Sequence, residues 1–234
     1  MINASAWKQM TRLRLLLVCM VVGAFLIGAA TLMSIRTQLL NNTGNALAFA
    51  AAGVVEELDQ LVYERRGDME VLAETLSVLG DNRQAVTDRL KGVEAAYSSY
   101  QWLAVTDREG VIIASVNPAS VGLNRSSSPW FQRVKGTRAV EVGDVEVSED
   151  SDGVLALSIS APIVDKGGRF RGVVTSRIGM PRIEDVFART VMTLQSQFVT
   201  ASRIEYQFLN RHGDLIADSI FHEEGKVNLK ALGV

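Results

Sequence analysis

Across 234 residues there is one cysteine, Cys19, and there are two histidines, His212 and His222. A single thiol excludes an internal disulfide framework, and so few sulfur and imidazole donors exclude a cysteine- or histidine-built metal cluster. Charge of one sign is also lacking. The chain has 24 basic and 26 acidic residues, a formal net charge of −2. With no basic surplus to neutralise phosphates, nucleic acid is not an expected partner. No GxSxG, HExxH, P-loop or paired-cysteine motif occurs, and no nucleophile–base pair can be nominated. An enzyme is therefore not expected, catalytic residues are none, and no cofactor is implied. Gly167 and Gly168 lie in a charged turn, DKGGR, and read as hairpin glycines rather than a phosphate cradle. Glu149, Asp150 and Asp152 lack the spacing of a calcium loop and read as a solvated turn. Proline is scarce at four residues, and none falls between 36 and 79, which leaves that stretch free to be helix.

Apolar residues, by contrast, make up 47% of the chain against 21% charged, too apolar for a disordered segment. The excess has a local source. Leu15 to Ile35 reads LLLVCMVVGAFLIGAATLMSI, bracketed by Arg14 and Arg36. About twenty apolar residues suffice to cross a hydrocarbon core as a helix. Lys8, Arg12 and Arg14 precede the run, and acidic Glu56, Glu57 and Asp59 come before the next basic residues, Arg65 and Arg66. The positive-inside rule places 1–14 in the cytoplasm, 15–35 in the membrane and the rest outside. The rival reading is a cleaved signal peptide with Gly28 and Ala30 near its cut, but the run continues past both. Cys19 lies inside the run and reads as a buried membrane cysteine.

Residues 36–80 then carry Leu58, Leu61, Met69, Leu72, Leu76 and Leu79 at helical spacing, with Gly80 as a stop and Asp81 as a cap for the next helix. Asn42, Gly44 and Asn45 weaken the segment near the membrane. Val86, Leu90, Val93 and Tyr97 repeat the helical period. From Gln101 the period changes to two. Gln101 to Thr106, a turn at 107–110, and Val111 to Val116 read as a hairpin. After a polar stretch, Pro129 opens a short helix holding Trp130, Phe131 and Val134. Ala139 to Ser148 reads as a strand broken at Gly143, 149–153 as a turn, and Val154 to Val164 and Phe170 to Ile178 as two further strands. One antiparallel sheet of about five strands follows, with helices to cover a face: an α+β fold. Pro181 opens a helix over 182–199 with Ile183, Val186, Phe187, Met192, Leu194 and Phe198 as its apolar positions. The strand–turn–strand pattern then returns as Ile204 to Leu209, Asn210 to Gly213 and Asp214 to Asp218. LAVTDREGVIIAS and QFLNRHGDLIADS form a weak internal repeat, the start of a second copy that the chain does not complete. His212 in its turn and His222 beyond it read as solvated surface groups.

The ordered set of an apolar anchor, a long helix, VTDREGVIIAS, SSPWFQRV, GDVEVS, SISAPIVDKGGRFRGVV and a second hairpin resembles the Cache sensor domain. This is the PAS-like extracytoplasmic module of bacterial chemoreceptors, sensor histidine kinases and diguanylate cyclases, here in its double (dCache) form. The resemblance implies a long signalling helix over 36–80, a membrane-distal Cache module over 81–180, and a linker helix with a truncated second module over 181–234. It implies a small-molecule sensing input domain in the inner membrane, with its bulk in the periplasm. It further implies a homodimer and a cytoplasmic effector that these residues do not contain. A receptor segment that dimerises without binding anything, or a tethered periplasmic enzyme, are the other classes.

The resemblance also implies that Trp130 and Phe131 face the ligand. The family's amino-acid sensors carry an Arg two residues before the Trp, a Tyr two after an Asp, and an Asp on the last strand. Here Ser128 stands at the first place with Arg125 nearby, Glu146 follows Asp144, and Arg177 falls where the amine-binding Asp belongs. A guanidinium repels an ammonium and suits a carboxylate or phosphate, so the expected ligand is a small anionic metabolite. The competing expectation is an internal Glu146–Arg177 pair that neutralises the site.

Overall fold

The structure is a computed structural model that describes residues 4–80, 82–147, 153, 155–197, 205–210 and 212–219. The chain divides into two units, Met1–Ala52 and Gly53–Val234. Helix α1 runs Ala4–Leu79, without a break at Asn42, Gly44 or Asn45. A helix-interior Gly costs about 1 kcal/mol and Asn somewhat less, too little to stop a helix that is already propagating. In the first unit the large apolar side chains from Leu15 to Ile35, Phe25 and Leu26 among them, are exposed. The helix is long and apolar enough to cross a membrane, with a window of mean hydropathy 2.6.

In the second unit α1 ends as expected at Gly80, whose φ of +60° favours glycine and whose N–H reaches Leu76 O. Asp81 lies outside the described residues. The cap of α2 (Arg83–Ala96) is Asn82, whose side chain accepts from the Ala85 N–H at 3.1 Å. Tyr97, expected to continue that helix's apolar face, is its C-cap and is exposed.

Five strands follow: β1 (Tyr100–Thr106), β2 (Ile112–Ser115), β3 (Glu141–Val147), β4 (Leu155–Val164) and β5 (Phe170–Gly179). They form one antiparallel sheet in the order β2-β1-β5-β4-β3. The expected break at Gly143 is a bulge within β3, where the register shifts between Val142 and Val145. A Cβ at Gly143 would stand 2.1 Å from Ser158 Oγ, so a side chain there would displace that hydroxyl. Ser148, the turn at 149–152 and Val154 fall outside the described residues.

Alternation gives the sheet two buried faces. Leu103, Val105, Ile159, Val174 and Ile178 turn toward Met69, Leu72 and Leu76 of α1 and Val86 and Leu90 of α2. The opposite face is covered by α3 (Pro129–Thr137), which packs on β3, β4 and β5. After β5 comes α4 (Met180–Gln197), which buries Val186, Phe187 and Leu194 but leaves Met192 exposed. The Ile183 side chain, Phe198, Ile204 and His222 are outside the described residues. The chain then forms a hairpin of β6 (Gln207–Leu209) and β7 (Leu215–Asp218). Phe187 stacks on Tyr206 at 5.0 Å and meets Phe208 at 5.1 Å, which seats the hairpin on α4.

The hairpin turns share one geometry. In the β1–β2 turn Asp107 Oδ1 accepts from the Glu109 and Val111 N–H groups, and Gly110 has φ +93°. In the β6–β7 turn Asn210 Oδ1 accepts from His212 and Asp214, and Gly213 has φ +87°. The β4–β5 turn repeats the arrangement with Asp165, Gly167, Arg169 and Gly168 at φ +76°. Each is a side-chain-capped turn with glycine where the backbone is left-handed.

Candidate ligand-binding face

Beneath α3 the sheet presents small and polar residues. Ser158 and Ser160 alternate with Leu157 and Ile159 along β4, so the hydroxyls point away from the helix-covered core. On β5 Thr175 and Arg177 share this face. Ser160 Oγ lies 2.7 Å from Thr175 Oγ1. Arg177 is buried at 4% exposure, and its Nη1 donates to Thr175 Oγ1 and Ser176 O at 3.0 Å each. Its guanidinium carbon stands 5.2 Å from the Trp102 ring and 5.7 Å from the Trp130 ring. Both are within cation–π range.

The sequence-predicted residues divide. Trp130 reaches Arg177 from α3 at 6% exposure. Its neighbour Phe131 is wholly buried, and both rings belong to one cluster with Val134, Val173 and Phe170. Arg125 is half-buried in the loop after β2, its N–H bonded to Gly110 O at 2.7 Å. Asp144 sits half-buried at the β3 bulge. Its Oδ1 accepts from the Val145 N–H, and its Oδ2 lies 3.6 Å from His212 Nδ1 in the β6–β7 turn. Glu146 is exposed. It pairs with Ala156, whereas Arg177 pairs with Ser158, further along β4. The expected Glu146–Arg177 pair is therefore not formed: β4 lies between their two strands, and their partners on it are two positions apart. Sequence reasoning missed Trp102, Ser158, Ser160 and Thr175. The serines were legible from their period-two alternation in LSIS.

Concavities also lie elsewhere among the described residues. One of about 330 Å³ opens between the α1–α2 junction and the β1–β2 and β4–β5 turns, with Leu76, Val86 and Ile163 in its walls. Another, of about 410 Å³, is lined by Arg65, Tyr97, Gln101 and Asp185. Beside it Tyr100 is buried, and that burial pushes its hydroxyl pKa up.

No family model matches the chain, and no curated protein matches it in sequence. Solved structures do. An extracellular ligand-binding receptor from Desulfohalobium retbaense DSM5692 superposes with a TM-score of 0.64 at 18% identity, over 78% of this chain and 32% of that one. The chain thus spans about a third of that receptor's length. The sensor domain of the V. cholerae histidine kinase DctB gives 0.56 at 17% identity, over 78% and 67%. The ligand-binding domain of the Pseudomonas aeruginosa PAO1 amino acid chemoreceptor PctC, in complex with GABA, gives 0.56 at 14% identity, over 82% and 81%. At such identities the likeness carries the fold and leaves the ligand to the site itself. The long helix, the strand order β2-β1-β5-β4-β3 and these superpositions give one conclusion: the chain has the fold of the Cache-type sensor domains of chemoreceptors and histidine kinases.

Proposed function

We propose that this chain is the extracytoplasmic input segment of a membrane-anchored bacterial signalling receptor, and that it takes a small anionic metabolite on the α3 face. The observation that carries the reading is Arg177, a guanidinium buried against two indoles on a hydroxyl-bearing sheet face. A buried guanidinium offers a planar fork of donors suited to a carboxylate or phosphate. Trp130 forms one wall, with Arg125 and Asp144 at the loop and bulge that border the sheet. Glu146, exposed on the edge strand, serves at most the rim. Because Trp130 and Phe131 are packed, a ligand enters only when α3 lifts from the sheet.

The receptor works as a non-enzymatic sensor, a homodimer whose cytoplasmic effector lies outside these residues. The 15–35 segment anchors it in the inner membrane with the second unit in the periplasm. An alkaline phosphatase fusion after Val234 should be active, and activity of a cytoplasmic-only reporter at that point refutes the topology. For the ligand, melting of the full chain in detergent is followed against carboxylates, phosphates and neutral compounds. Specific anions should raise Tm by mass action, and Arg177→Ala should abolish the shift. A shift that survives Arg177→Ala refutes the anion site.

One observation favours a second reading, a structural segment that binds nothing. Phe131, Val134 and Val173 fill much of the α3 face with the protein's own side chains. A flat response across the whole panel is the outcome that reading expects.

A further inference from the structure

We infer that Trp102 is the positioning residue of the α3 face: acting through Arg177, it fixes the guanidinium, and through Ser120 it ties the loop after β2 to that group. This rests on the anion-binding reading proposed above.

Trp102 and Arg177 are direct partners in the antiparallel register of β1 and β5. Side chains opposed in this way have Cβ atoms about 5 Å apart, so the contact follows from strand pairing rather than from one choice of rotamer. The indole is itself immobilised. It is 2% exposed, and its Nε1–H donates to Ser120 Oγ at 3.1 Å. Ser120 is buried and closes the single 3-10 turn Pro118–Ser120. The N-cap of that turn, Asn117, accepts from the Ala119 N–H.

Thus the ring face of Trp102 sets where the guanidinium lies, while Thr175 Oγ1 and Ser176 O take one of its edges. Trp130 differs, since it arrives on a helix that must move for a ligand to enter. Trp102 stays with the sheet and holds Arg177 in place when α3 lifts. Its bond to Ser120 makes the loop carrying Arg125 sense any shift of that group.

The chain carries its own reporter. Its three tryptophans are Trp7, Trp102 and Trp130. In a Trp7→Phe background, all indole emission comes from the two rings beside Arg177. The full chain in detergent micelles is titrated with sodium succinate and, separately, with inorganic phosphate. Affinity is read from emission, and Tm is read in parallel.

At least one anion should change emission saturably. Trp102→Leu, which removes the ring, should weaken that affinity roughly ten- to thirtyfold, the ratio expected for loss of a desolvated cation–π contact. Trp102→Phe keeps an aromatic face and should recover affinity to within about threefold of the parent. Ser120→Ala, which folds without loss of the ring, should weaken it about two- to tenfold, the value of one hydrogen bond. Parental affinity in both Trp102→Leu and Ser120→Ala overturns the inference and leaves the anion site standing. So does a Trp102→Phe variant that melts like the parent yet binds as weakly as Trp102→Leu. Should Trp102→Leu fail to fold, the Phe and Ala variants decide by the same criteria. If the parent binds neither anion, or Arg177→Ala binds as tightly as the parent, the anion reading falls and the inference falls with it.

Discussion

Phe131→Ala tests whether α3 is seated on the sheet. Phe131 is 0% exposed and meets Trp130 edge-on at 5.9 Å and Phe170 at 6.3 Å. Lys135 Nζ lies 5.5 Å from its ring, and Val134 and Val173 close the cluster. This cluster is separate from the larger core beneath α1 and α2, so nothing on the far face of the sheet can substitute for the lost ring. Truncating a buried Phe to Ala removes about 3–5 kcal/mol. In a domain of 150–250 residues each kcal/mol moves Tm by about 2–4 °C, so a drop of roughly 6–20 °C is expected. The melt is followed by near-ultraviolet circular dichroism of the full chain in micelles. Val71→Ala, an exposed position on α1, is the control and should shift stability by no more than about 0.5 kcal/mol. If Phe131→Ala melts with the control, α3 is not packed as described, and Arg177 does not lie under a closed face.

Three further outcomes are expected. A Cβ at Gly172 would stand 1.9 Å from Thr106 O, a backbone atom held in β1, so Gly172→Ala should lower the unfolding free energy measured in urea by about 1–3 kcal/mol or more; an unchanged midpoint contradicts the β1–β5 approach. Gly92, in the interior of α2, has open space around it, and Gly92→Ala should stabilise by about 0.5–1 kcal/mol in the same assay, with destabilisation counting against the helix. The Arg169 backbone N–H, ahead of the Arg169 side chain and the Gly167 N–H, holds the Asp165 carboxyl below its ordinary value of 3.8. A depressed carboxyl contributes stability that is full above the unfolded value and drains away as pH falls through the lower folded one. Carbon-detected NMR of Asp165 should therefore show a midpoint below that of a model peptide, and a midpoint at or above it refutes the capped turn.

The strands were legible because short apolar, β-branched runs such as QWLAVT and VLALSISAPIV sit between turn signals, with β4 and most of β1 buried on both faces. The turns were legible because glycine and an Asx residue each have a mechanical task there. Strand order was not. Trp102 meets Arg177 only because β5 inserts between β1 and β4, a pairing of distant segments that no local spacing encodes. Glu146 enters the site through the resemblance, two residues after Asp144, and its exposure on an edge strand, with β4 between it and Arg177, is not encoded in that spacing either. Phe131 was read with Trp130 as pocket wall. Adjacent helical residues point about 100° apart; both rings belong to one cluster, and Trp130 also reaches Arg177.

The three hairpin turns have a consequence for how this sequence can drift. In each, the first residue supplies one side-chain oxygen to two amide groups, and the glycine supplies a left-handed backbone. The residues between them have no such task, and they differ: Arg108 and Glu109 in one, Lys166 and Gly167 in another. Saturation libraries should therefore return the same tolerance profile at all three sites, closed at the ends and open in the middle. Asp107 and Asn210 show that an acid or an amide oxygen can accept these two bonds, although Asn210 also donates from Nδ2 to Val145 O and Asp214 Oδ2. A swap of the β6–β7 turn residues into the β1–β2 turn would then be silent for folding, and the surface charge of this end of the protein could change freely without touching its architecture.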